Sequence, residues 1–154
     1  MQNLIRETRS LSLPLAMELL LAAVKEAQRQ NVSVSIVLVG PAGEIIHSAH
    51  MDDAPFLSRE IALNKALTAA SFKASTSSWQ KRLAACSEAV RQGLPLQPNI
   101  APFGGGEPLV YGGHVIGAVG ISGASEKIDE GCAKAVVACL EGLMEPAPEG
   151  GSFI

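Results

Sequence analysis

The order of hydrophobic patterns predicts an α+β fold: a helix, a hairpin, two helices, a second hairpin and a final helix, forming one layered domain around a mainly antiparallel sheet. Two observations carry that prediction. The strand-like runs come in adjacent pairs joined by glycine-rich turns, and no strand alternates singly with a helix, which excludes a parallel Rossmann-type sheet. The 154 residues are 47% apolar and 18% charged, the composition of a globular chain. A single domain of that length buries about two-thirds of its unfolded surface.

Each element has its own local warrant. Ser12 and Pro14 suit a helix start, and Leu15, Leu19, Ala23 and Ala27 recur at every fourth position, predicting a helix to about Gln30. Val32 to Val39 passes from alternating to uniformly apolar residues, as a strand covered on both faces does. Gly40-Pro41-Ala42-Gly43 turns the chain and Glu44 to Met51 returns it, followed by the loop Asp52-Asp53-Ala54-Pro55. Ser58 is a candidate cap for a helix to about Lys73, with Ile61, Lys65, Thr68 and Phe72 on one face, and Ser77 to Arg91 predicts another helix. Residues 92–106 hold three prolines and four glycines, a connection of a length that is more often functional than accidental. Pro108 to Tyr111 and His114 to Ile121 form a second hairpin across Gly112-Gly113. Ser125 opens the last helix, and Glu145 to Gly151 begins a polar tail ending in Phe153-Ile154.

Composition narrows the function classes. A formal net charge of −3 gives no excess of cations for a phosphate backbone, so nucleic acid is not an expected partner. Glu18, Lys25 and Glu26 interrupt the apolar run near the N-terminus, which reads as an amphipathic helix and not a signal peptide or membrane span. Cys86, Cys132 and Cys139 lack zinc or redox spacing and read as reduced, mostly buried thiols, so the expected compartment is the cytoplasm.

Few residues carry chemistry. Lys65 sits on a helix face that otherwise reads as core, where an ammonium is costly unless paired. It is either a structural ion pair or a pocket cation able to hold an anion or, with a lowered pKa, to act as base or nucleophile. Gly104, Gly105 and Gly106 offer either close backbone approach to a ligand or a turn that needs positive φ. They do not form a P-loop or a dinucleotide fingerprint. Glu107 at their end is either a general base beside Lys65 or a solvated loop carboxylate. Gly117, Gly120 and Gly123 point to close packing of a helix or subunit on the sheet. Among the histidines, His47 shares a strand face with Ile45 and Ala49, while His50 points oppositely, at a strand end beside Asp52 where ligand loops gather. His114 is an exposed turn residue. No pair of histidines has metal-site spacing, and no G-x-S-x-G nucleophile motif is present.

The hairpin VSVSIVLVGPAGEIIHSAHMD, the segment IALNKALTAASF, the stretch PFGGGEPLVYGG and HVIGAVGISGAS followed by Asp129-Glu130 together resemble the GlcG/HbpS family, which includes haem-binding proteins and the C-terminal domain of PduO. The resemblance implies a profilin-like fold with a five-stranded antiparallel sheet, a domain over residues 12–142 between an arm (1–11) and a tail (143–154), homo-oligomers and, for some members, tetrapyrrole binding. Two positions depart from the family pattern. Gly40-Pro41 stands where an Asp is frequent, and His50 stands where an Arg is frequent. An Arg pairs with a carboxylate, whereas a neutral imidazole can ligate a metal or carry a proton.

These readings lead to an oligomeric small-ligand-binding protein, with haem or a related tetrapyrrole as ligand and no nucleotide cofactor. His50, Asp52, Lys65 and Gly104 to Gly106 would bind the ligand, with His50 as axial ligand and Lys65 facing a propionate. The alternative is a cofactor-independent lyase, isomerase or hydrolase acting on a small anionic substrate through Lys65 and Glu107. A purely structural subunit, docking by Phe153-Ile154, is a third possibility. With six aromatic residues, no stacking cage is available, so a planar ligand must lie against aliphatic walls and glycine backbone.

Overall fold

The computed structural model describes residues 4–145. Helix α1 (Leu13–Arg29) starts as its sequence dictates: Ser12 Oγ accepts the Leu15 N–H and Pro14 lies in the first turn. It ends in a Schellman motif. Asn31 takes φ 56°, its N–H donates to the Gln28 carbonyl, and the Val32 N–H donates to the Ala27 carbonyl. That motif consumes Val32, so strand β1 (Ser35–Val39) begins three residues later than the hydrophobic run suggests. Strand β2 (Ile45–His50) completes the first hairpin.

Helix α2 (Ser58–Phe72) follows, then a 3-10 turn at Thr76–Ser78, helices α3 (Trp79–Ala84) and α4 (Glu88–Gly93), and a second 3-10 turn at Leu94–Leu96. The single helix expected over Ser77 to Arg91 is thus broken. Ser87 Oγ accepts the Val90 N–H and caps a new helix, and α4 buries no residue that would hold the two in line. Strands β3 (Gly106–Tyr111) and β4 (His114–Ser122) form the second hairpin, with Gly112 and Gly113 at φ 56° and 76° in its turn. Helix α5 (Glu126–Met144) is capped by Ser125 and runs into the segment expected to be tail. Phe153 and Ile154 lie outside the described residues.

The described residues form an antiparallel sheet of four strands in the order β2-β1-β4-β3. This corrects the expected five. β1 stops pairing at Val39 opposite Ala118, while β4 extends back to His114; Leu11 fills the vacated edge with one hydrogen bond from its N–H to the Ile116 carbonyl, too short a contact to count as a strand.

Two cores sandwich the sheet. On one face α1 and α5 bury Leu19, Ala23, Val136 and Leu140 against Ile36, Leu38, Val119 and Ile121. Cys132 belongs to this layer, and burial pushes its thiol up to about 11, as expected of an inert core cysteine. On the other face α2 lays Ala62, Ala66 and Ala69 on Val37, Val39 and Ala118. The buried stripe of α2 is therefore alanine, with Lys65 and Thr68 beside it, while Ile61 and Phe72 are displaced to its exposed flanks. Alanine lets the helix approach until backbone meets backbone. A Cβ on Gly120 would collide with the Ala62 carbonyl oxygen and stand 2.6 Å from the Ala66 nitrogen, which confirms the close-packing reading of that glycine. Helix α2 lies over β4, β1 and β3 and leaves much of β2 uncovered.

Candidate functional site

The singled-out residues fall into two groups. The first is closed. Lys65 is 1% exposed; its Nζ donates to the Ile121 carbonyl at 2.8 Å and pairs with Asp129 Oδ2 at 3.2 Å, with the Phe103 ring centroid 5.1 Å away. Asp129 is buried too, and its Oδ1 accepts the Ala124 N–H at 3.0 Å. Burial pushes the Lys65 pKa down and that of Asp129 up, and each partner opposes the other's shift. The N–H groups directed at the carboxylate oxygens and the carbonyl on the ammonium work against burial and favour the charged forms of both groups.

The glycines close over this pair. Gly105 has φ +125°, and a Cβ on it would lie 2.6 Å from the Ile121 carbonyl oxygen and 2.7 Å from Lys65 Nζ. The Gly104 N–H donates to Glu126 Oε1 at 2.9 Å and the Gly106 N–H to Thr76 Oγ1 at 2.8 Å. Those two donors are spent inside the protein. Glu107, 8% exposed, accepts from the Ser75 hydroxyl, and its charged neighbours are Lys134 and Glu130; burial raises its pKa. Lys65 and Glu107 therefore have different hydrogen-bond partners, and neither is a hydrogen-bond partner of the other.

The second group is open. Between β2 and α2 lies a groove of about 510 Å³, lined by Val37, Ile45, Ser48, His50, Arg59 and Leu63 among others. Its floor is the uncovered strip of sheet. A β-bulge shapes it: Leu38 pairs with His47, but Val39 pairs with Ile45, skipping Ile46. The skipped residue moves Ile45 to the groove face with Ser48 and His50, whereas strict alternation would group it with His47.

His50 lies opposite Ser35 in register, and its Nδ1 is 2.6 Å from Ser35 Oγ. Ser35 Oγ is in turn 2.9 Å from Ser58 Oγ, whose hydroxyl donates to the Pro55 carbonyl at 2.5 Å. Ser58 was expected to cap α2; it is instead the helix's first residue, and its hydroxyl turns back to Pro55. Asp52 is exposed in the turn beyond His50 and is not among the residues lining the groove.

Pattern reading missed Ser35, Ser58 and Arg59. A signal existed for Ser35, since a hairpin turning at residues 40–43 brings it near His50. No signal existed for Ser58, which reaches the site only because α2 crosses the sheet. Among the described residues no cluster of three or more His, Cys, Asp or Glu could hold a bare metal ion, and no helix is long and apolar enough to cross a membrane.

Fold and site together define a small α+β chain with an open groove of mixed apolar and polar lining beside a buried polar lock. Residues 11–138 match the family model described as haem degrading protein HbpS-like, and the chain belongs to this HbpS-like family. An uncharacterised 15.0 kDa protein from the dhaT-dhaS intergenic region of Citrobacter freundii is 32% identical over 148 residues, covering 92% of this chain and 99% of the relative. Among solved structures, the PduOC:haem complex is 32% identical with a TM-score of 0.77, covering 84% of this chain and 94% of that one. A double mutant of HbpS from Streptomyces reticuli is 30% identical with a TM-score of 0.80, covering 90% and 92%.

Proposed function

We propose that this protein binds haem, or a related tetrapyrrole, in the groove between β2 and α2, with His50 as iron ligand. The observation that carries the reading is His50 itself. It lines the strip of sheet at β2 that α2 leaves uncovered, with its Nδ1 tied back to Ser35, so that Nε2 is the nitrogen left for a ligand. A ligating imidazole ordinarily has its other nitrogen held in this way. The groove fits the rest of such a ligand. Val37, Ile45 and Leu63 supply aliphatic walls, and Arg59 supplies a cation for a propionate, with the Glu60 carboxylate beside it on the same wall. Bound haem would supply redox and oxygen chemistry; the chain's part is to hold and orient it.

Support from relatives is of the same kind, since a chain of this fold at 32% identity was crystallised as a haem complex. Lys65 has no place in this groove, because Asp129 and the Ile121 carbonyl occupy it. The same engagement weakens the enzyme alternative built on Lys65 and Glu107. The profilin-like description is supported by an antiparallel sheet with α1 and α5 on one face and α2 on the other. Self-association is supported by exposed Phe56, Leu57 and Leu96, and a cytoplasmic setting by three free cysteines.

Titration with hemin, followed in the Soret region, tests the proposal. A saturable one-to-one spectrum is expected, with the His50→Ala variant losing its axial-ligand signature. No saturation, or an unchanged spectrum in that variant, overturns it. Light scattering of the purified protein checks self-association, and a monomer mass counts against it.

A further inference from the structure

The hydroxyl chain behind His50 has a direction, and that direction assigns a proton. The Pro55 carbonyl can only accept, so the single proton of the Ser58 hydroxyl is spent on it at 2.5 Å. Ser58 Oγ must then accept across its 2.9 Å contact, which makes Ser35 the donor there. Ser35 has no second proton, so across the 2.6 Å contact its oxygen accepts and His50 Nδ1 donates. We propose that Ser35 and Ser58 are positioning residues that hold neutral His50 as its Nδ1–H tautomer and so present the Nε2 lone pair to the groove.

Two consequences separate this arrangement from an ordinary surface histidine. A hydroxyl facing an imidazole can either give or take a proton, and it is Ser58, one bond further back and anchored at the start of α2, that decides which. The same polarity excludes Ser35 as a base-activated nucleophile, because its proton points away from His50. The inference rests on the proposed role of His50 for its use, but its proton assignment holds for the ligand-free protein and is tested there.

The test is long-range proton-nitrogen NMR of uniformly 15N-labelled, ligand-free protein at a pH where His50 is neutral, with His50 assigned through a His50→Gln variant. The wild type is expected to show a protonated Nδ1 and an unprotonated Nε2. In Ser58→Ala the Ser35 hydroxyl loses its acceptor and is free to donate to Nδ1, so the ring is expected to shift toward Nε2–H, with hemin affinity falling at least several-fold. Ser58→Thr keeps the hydroxyl and restores the wild-type pattern. A wild-type ring carrying its proton on Nε2, or a Ser58→Ala ring unchanged from wild type, overturns the assignment whatever the hemin titration shows. The expected tautomer without saturable hemin binding leaves the assignment standing and overturns the haem reading alone.

Discussion

The polar cluster beneath the glycine loop and the groove beside β2 both contain residues that a sequence reader marks as functional, yet the protein treats them in opposite ways. Around Lys65 the polar groups are answered from within: Asp129 and the Ile121 carbonyl take the buried ammonium, and Glu126 and Thr76 accept the Gly104 and Gly106 N–H groups. Around His50 the internal bonds stop one atom short, holding Nδ1 and leaving Nε2. A buried polar group is expensive until its partners are complete. A ligand site is one where completion is left to the ligand.

The contrast is broken most directly by removing Asp129. Asp129→Ala strands the Lys65 ammonium in the core and is expected to cost about 3–5 kcal/mol, measured by chemical denaturation. The double replacement Lys65→Met with Asp129→Leu should recover part of that, since it removes the stranded charge but leaves the Ala124 N–H without its acceptor. If Asp129→Ala were harmless, the cluster would be a solvated pocket after all.

Gly120→Ala comes next, at about 3 kcal/mol, because its Cβ would displace α2 at the Ala62 carbonyl and the alanine stripe has no flexible side chain to yield. A smaller effect attends Glu107. Its pKa is raised above the ordinary 4.5 by burial, so the folded state holds that proton more tightly than the unfolded one. Its contribution to stability is full below about pH 4.5 and is lost as pH rises through the raised folded value. Glu107→Gln, which can still accept from Ser75, is therefore expected to raise the midpoint of thermal unfolding at pH 7 and to leave it unchanged near pH 4. A difference that persists at pH 4 would refute the sign. The least effect on stability belongs to His50→Ala. It is an exposed edge-strand residue that gives up only its hydrogen bond to Ser35, so the change should cost about 1 kcal/mol while abolishing the axial-ligand spectrum. Marked destabilisation would move His50 to the structural side of the comparison.

Much of the fold was legible because it is written in local chemistry. Ser12, Ser125 and the Gly112-Gly113 pair each announce a helix start or a turn through bonds to neighbours a few residues away. The glycine-rich loop was legible as special, but its use was not. Positive φ at Gly105 and ligand approach look alike in sequence, and only the Lys65 ammonium packed beneath decides between them. Ile61 and Phe72 were grouped with Lys65 by period alone, although alanine, the weaker hydrophobic signal, faces the sheet. The reason is distance, since a helix that must approach Gly120 can carry nothing larger.

The amino-acid sequence by itself determined the α+β class, the pairing of strands into hairpins, the capped starts of α1 and α5, and the short list of ionisable residues worth following. These depend on contacts within a few residues and on hydrophobic period. The tertiary structure alone decided that Lys65 is locked by a residue sixty-four positions away, that a bulge turns Ile45 into the groove, and that Ser58 reaches across from α2 to the Ser35 hydroxyl behind His50. Each is a meeting of groups from separate elements, set by how closely α2 settles on the sheet, and no local pattern records that approach.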